Sequence, residues 1–201
     1  MPEPQPLQRP ADGLAPETNA PGDPDLADVR AAQRDHHAFD RLYRRYLDRV
    51  YSYAFYQLGD HHDAEDATER TFLAALAAID RFHNEGSTFR AWLFRIAHNA
   101  IANSHRARRR RRTQPIADAR QQAAPGADPA SVVARADQQR EIRAALARIP
   151  AERRHAILLR FVDGLSAREI GAVLDRSDGA ARVLLHRALR DLAAELDRGD
   201  A

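Results

Sequence analysis

The chain has 201 residues, 44% of them hydrophobic and 30% charged, which allows one ordinary domain or two small ones. It has no cysteine, which excludes a disulfide scaffold, an iron–sulfur cluster and thiol catalysis and fits a reducing compartment. Net charge is only +2, all 31 basic residues are arginine, and the apolar runs fall far short of the roughly 20 residues a membrane span needs.

Residues 1–10 carry no basic start followed by an apolar run, so no secretory signal is visible and a cytoplasmic protein is expected. Residues 1–34 are expected to form a disordered tail, because the first 27 hold seven of the eleven prolines and almost no large apolar side chains. From 38 to 58, Phe39, Leu42, Tyr43, Tyr46, Val50, Tyr53 and Ala54 recur at three- and four-residue spacing, which predicts one face of a helix. Gly59 is its expected stop. A second helix is predicted over 62–82, with Phe72, Ala75, Leu76 and Ile79 inward. After a polar break, Ser87 is the expected cap of a third helix that buries Phe89, Trp92, Leu93, Ile96, Ala97 and Ala100 and runs into the arginine block 108–112.

Periodicity weakens from 113 to 131, where Pro115, Pro125, Gly126 and Pro129 mark a linker. Helical pattern resumes over 132–198. Pro150 suits a helix start, Gly164 a stop, and Ser166 with Glu169 forms a capping box before a short helix ending near Leu174. Ser177 then caps a last helix. The expected fold is all-α: two small helical domains, 35–112 and 132–198, joined by a flexible linker.

A short helix, a tight turn and a longer basic helix make a helix-turn-helix pattern. At 100° per residue, Ala181, Leu185, Ala188, Leu192 and Leu196 share one side of the last helix. Arg182, Val183, His186, Arg187 and Arg190 share the other. A valine among cations suits a major groove, where arginine donates to guanine and an apolar group meets a thymine methyl. A solvated outer face is the plain alternative. Upstream, Asp63, Glu65, Asp66 and Glu69 crowd the start of the second helix, where acids meet the helix dipole favourably. They also offer an acidic face to a partner. His61 and His62 are adjacent and point about 100° apart, so they do not make a chelating pair. No metal, cofactor or small-molecule substrate is expected.

Asp63-Ala64-Glu65-Asp66-Ala67, Thr71-Phe72 and Phe89-Arg90-Ala91-Trp92-Leu93-Phe94-Arg95-Ile96-Ala97-His98-Asn99 resemble region 2 of the sigma-70 family, nearest its extracytoplasmic-function (ECF) group. Ile149-Pro150, Leu159-Arg160-Phe161, Gly164-Leu165-Ser166, Glu169-Ile170, Ser177-Asp178-Gly179 and Leu185-His186-Arg187-Ala188 resemble region 4. The resemblance implies a non-enzymatic promoter-specificity subunit whose partners are core RNA polymerase, promoter DNA and an anti-sigma factor. It implies polymerase binding by Asp63, Glu65, Asp66 and Glu69. It implies −10 contacts by Asn84, Ser87, Arg95, His98, Asn99, Asn103 and Arg106, with a flipped base in a loop pocket over 82–88. It implies −35 contacts by Ser177, Arg182, Val183, His186, Arg187 and Arg190. In the family the two regions are commonly occluded until polymerase spreads them. Here closure is expected to set the acidic helix against the arginine block. Asp175 stands where the family's turn glycine is common, and Asn103 and Leu184 also depart from its pattern. Two other readings stay open: a dimeric DNA-binding regulator, and a helical hydrolase using His61, His62 and the nearby carboxylates.

Overall fold

A computed structural model describes Pro4 and residues 23–84, 86–112 and 141–199. Among these, every regular element is helical. The N-terminal domain comprises α1 (Leu26–Arg34), α2 (Phe39–Leu58), α3 (His61–Ala78) and α4 (Phe89–Arg112). Short 3-10 turns lie at His36–Ala38 and Ile79–Arg81. The C-terminal domain comprises α5 (described over 141–148), α6 (Ala151–Asp163), α7 (Ala167–Leu174) and α8 (Asp178–Gly199). The expected linker, 113–131, lies outside the described residues.

Helix α1 corrects the reading of 1–34 as a tail over Leu26–Arg34, while residues 1–3 and 5–22 of that reading lie outside the described residues. Its apolar content is low, but Val29 and Ala32 are buried. Polar anchors do the rest. Asp25 accepts from the Tyr46 hydroxyl at 2.5 Å and pairs with Arg45, and Asp28 pairs with Arg45 at 2.6 Å. The Gln33 amide donates to the Ile79 and Phe82 carbonyls at 3.0 and 2.9 Å. These bonds tie α1 to the chain entering α4.

Helix α2 is the central element. Its first half shows the expected stripe, although Tyr43 is 38% exposed. From Val50 to Leu58 every residue is buried, Ser52 and Gln57 included. A helix apolar all round must be covered all round. Helix α3 covers one side and α6 another. Gly59 ends α2 in the left-handed conformation, φ 71°, returning its N–H to Phe55.

Helix α3 is capped by the Asp60 carboxylate, which accepts from the Asp63 N–H at 2.9 Å. It ends at Ala78, earlier than expected, and continues as the 3-10 turn. The cap of α4 is Thr88, whose hydroxyl accepts from the Ala91 N–H at 3.2 Å; it is not Ser87. Phe89 is the first helical residue, so Thr88 holds the N-cap position and Ser87 lies one residue outside it. Trp92 is partly buried, its ring tilted against those of Phe82 and Phe89.

In the C-terminal domain, Ser166 and Glu169 form the capping box. Asp175 takes the left-handed conformation, φ 57°, between α7 and α8. Arg153–Asp191 at 2.5 Å ties α6 to α8. Leu196, expected on the buried side of α8, is 43% exposed near the end of the helix.

Candidate nucleic-acid interface

The helix-turn-helix sets α8 with Ala181 and Ala188 fully buried and Leu185 and Leu192 partly buried. Arg182, His186, Arg187 and Arg190 are exposed on the other side. Val183 lies among them and is 50% exposed. Arg182 pairs with Asp178 one turn earlier at 3.0 Å, which fixes its direction. Ser177 accepts from the Ala180 N–H at 3.3 Å and sits exposed at the helix start. The sequence-predicted face is thus one continuous surface.

On α4, Arg95, Asn99, Asn103 and Arg106 are exposed. Their spacing puts them along one side of the helix. Asn84 lines a cleft of about 350 Å³ with Leu26, Val29, Arg30, Gln33, Phe82 and His83. Helix α1 therefore forms one wall of a cleft beside the loop before α4, a contribution that the reading of 1–34 as a tail missed. His98 departs from the row. It turns toward the C-terminal domain, with its ring centroid 4.4 Å from that of His155.

Between α2 and α3 lies a groove of about 420 Å³ lined by Phe39, Tyr43, Leu47, Phe72, Leu73 and Leu76 with Glu65 and Glu69. Leu73 is 59% exposed. Of the predicted acids, Glu69 is exposed and Glu65 half-buried at this rim. Asp66 pairs with Arg70 at 3.4 Å. Asp63 is 3.9 Å from Arg108. The arginine block does meet the acidic helix, but both lie in the N-terminal domain, so that pair does not close the molecule. His61 is used structurally, its ring 4.4 Å from Phe55 and its Nδ1 2.5 Å from the Tyr51 hydroxyl.

The two domains close on other residues. Arg90, at the start of α4, forks onto Glu169 with Nη2 at 2.9 and 2.7 Å from the two carboxylate oxygens. It also donates to the Asp163 carbonyl at 3.2 Å. The Thr88 hydroxyl donates to Glu169 at 2.7 Å, and Arg49 reaches the buried Asp163 carboxylate at 2.7 Å. Burial pushes Asp163 up to about 6, although Arg90 and Arg49 oppose the shift. Glu169 is held below its usual range by Arg90 and Ser166 against the effect of burial. A second cluster lies beside the first. His155 Nδ1 is 2.8 Å from the Tyr53 hydroxyl and 2.7 Å from Gln57 Nε2. Accepting from Gln57 requires that nitrogen to be unprotonated. Burial, then His98, Arg154 and His105, push His155 down to about 3.

The described residues thus form two helical domains, one with an open helix-turn-helix face and the other with an exposed polar helix row and an acid-rimmed apolar groove. Residues 42–111 match sigma-70 region 2 and residues 139–192 match sigma-70 region 4. The chain is 35% identical to the ECF RNA polymerase sigma factor BldN of Streptomyces coelicolor over 82% of this chain and 62% of that one. It is 32% identical to the RNA polymerase sigma factor CarQ of Myxococcus xanthus over 80% of this chain and 91% of that one. The chain spans less than two thirds of the length of BldN and of other relatives it matches. Its fold is similar to CnrH in complex with the cytosolic domain of CnrY. The TM-score is 0.67 at 28% identity, over 87% of this chain and 97% of that one. It is also similar to the sigma factor RpoE in complex with the anti-sigma factor NepR from Bartonella quintana. There the TM-score is 0.61 at 26% identity, over 79% and 96%. The chain belongs to the sigma-70 family of RNA polymerase sigma factors, in its ECF group.

Proposed function

We propose that this chain is a promoter-specificity subunit, without catalysis of its own, that directs core RNA polymerase to −10 and −35 elements. The observation that carries the reading is the α8 face, where Val183 stands half-exposed among Arg182, His186, Arg187 and Arg190. A solvated face gains nothing from an exposed valine, whereas a thymine methyl does. Ser177 adds a donor at the helix start, where phosphates bind. The −10 element is read by Asn84, Ser87, Arg95, Asn99, Asn103 and Arg106. His98 joins them only when the domains part. The groove rimmed by Glu65 and Glu69 receives an amphipathic basic helix of polymerase, with Asp63 and Asp66 alongside. An anti-sigma factor is the further partner, by analogy with the CnrY and NepR complexes.

Run-off transcription with core polymerase, on the DNA upstream of the protein's own gene and on a library of −35 variants, tests this. Arg187→Ala should relax preference at one −35 position and cost about 1–3 kcal/mol. Val183→Ser should change thymine discrimination with little change in salt dependence. Identical preferences in wild type and both variants would withdraw the −35 assignment. No polymerase-dependent transcript would withdraw the function.

A further inference from the structure

Helix α1 brings two polar side chains to the cleft beside the loop before α4, Arg30 and Gln33. The Nε2 of Gln33 donates to the Ile79 and Phe82 carbonyls at 3.0 and 2.9 Å. Carbonyls only accept, so both amide hydrogens are used and the Oε1 of Gln33 is left as an acceptor. His83 lines the same cleft, with Nδ1 2.8 Å from the Arg81 carbonyl. That contact places the hydrogen on Nδ1 and leaves Nε2 of the neutral ring as a second acceptor. Arg30 lies one turn before Gln33 on the same face of α1, exposed and without a carboxylate partner among the described residues. Buried Val29 and Phe82 give the cleft an apolar floor, and Phe89 and Trp92 hold the Phe82 ring. The volume of about 350 Å³ lies at the small end of ligand cavities and suits a single base.

A fork of donors beside two acceptors selects among the bases by edge. Guanidinium makes two parallel bonds and needs two adjacent acceptors. Cytosine has them in O2 and N3, with its exocyclic amino group next on the same edge. Thymine separates its acceptors by N3–H and has no amino group. Guanine offers O6 and N7 to arginine, but its amino group lies beyond N1–H on the other edge. Adenine has one acceptor beside its amino group.

We propose that Arg30 of α1 is a specificity-determining residue of the −10 surface, which reads the Watson–Crick edge of one unpaired cytosine in this cleft. Arg30 donates to O2 and N3, and Gln33 Oε1, with His83 Nε2 beside it, accepts from the amino group. The inference rests on the promoter-binding reading above and adds α1 to a surface otherwise carried by α4 and its loop.

The test uses the full chain assembled with core polymerase and a fluorescent non-template strand from upstream of its own gene, in which each cytosine in turn is replaced by uracil. Uracil keeps the ring and O2, but exchanges the amino group for a carbonyl and the N3 acceptor for a donor. One replacement should weaken binding of the strand about tenfold, the lower part of what a bidentate base contact is worth. Arg30→Ala should cut that preference, at that position alone, to about two- to threefold, the share of the neutral bond to the amino group. Arg30→Lys keeps the charge without the fork, so it should match wild type in salt slope and Arg30→Ala in preference. Arg34→Ala removes another exposed arginine one turn along α1 and should leave the preference intact. Pyrimidin-2-one, which is cytosine without its amino group, should weaken the strand at that position in wild type and Arg30→Ala alike. A strand on which no cytosine matters overturns the proposal, as does a preference undiminished in Arg30→Ala or a pyrimidinone that binds like cytosine. A uniform loss across all strands in Arg30→Ala, with a salt slope lower by about one, would assign Arg30 to phosphate and overturn base reading. Run-off transcription by wild type reads separately: its failure removes the promoter reading, whereas transcripts without any cytosine preference remove the cytosine assignment alone.

Discussion

At Gly171 of α7 an added Cβ would lie 2.7 Å from the Arg176 carbonyl oxygen. That oxygen belongs to the turn between α7 and α8, so the glycine sets how closely the helix-turn-helix folds back. Gly171→Ala should destabilise the C-terminal domain by about 1–3 kcal/mol, as overpacking does elsewhere. Asp175 is the opposite case, a side chain held at φ 57° where glycine is free of the penalty. Asp175→Gly should leave stability unchanged or raise it by up to about 1 kcal/mol. Denaturant unfolding of the two variants checks both signs. The sequence revealed Asp175 as a departure from a glycine turn. It did not reveal Gly171, whose demand comes from a carbonyl across the turn and leaves no mark on periodicity.

At the scale of elements, α6 meets α2 through His155. In the open form an imidazole of ordinary pKa, near 6.5, takes up a proton as pH falls through that value. In the closed form His155, set against Tyr53, Gln57, His98, Arg154 and His105, refuses the proton down to about 3. Closure therefore weakens as pH falls below 6.5. Asp163 acts in the other direction: raised to about 6 from 3.8, it favours closure as pH falls between those values. The histidine shift is the larger, and burial lowers His98 and His105 as well. The net outcome expected is opening on mild acidification, by up to about tenfold per pH unit for each proton taken up. An interdomain fluorescence-transfer titration from pH 7.5 to 5 should show it, and His155→Gln should flatten the curve. Most of these helices were legible in the sequence, because stripes such as Leu42, Tyr46 and Val50 are local signals. Helix α1 was not, because Asp25, Asp28 and Gln33 hold it more than apolar area does. The all-round burial of α2 beyond Val50 was not legible either: the spacing predicts one buried face, and the cover on the others comes from helices distant in sequence, α6 among them.

At the scale of the whole molecule, the α8 face was readable because its period separates Ala181 and Ala188 from Val183 and the arginines. The seam was not, since Arg90 and Glu169 lie 79 positions apart and Glu169 by itself reads only as the capping-box partner of Ser166. That seam has a thermodynamic corollary. A ligand that engages only the separated domains binds with an apparent affinity scaled by the separated fraction. A seam closed in about 99% of molecules weakens every such ligand about a hundredfold, or about 2.7 kcal/mol. Linkage makes this reciprocal. On the proposed function, polymerase that holds the domains apart should bind Asp163→Asn with Glu169→Gln more tightly in a quantitative pull-down, though neither residue lines the groove of Leu73 and Glu69. The gain should equal the closure factor alone, and an unchanged affinity would mean that the seam is not what polymerase works against.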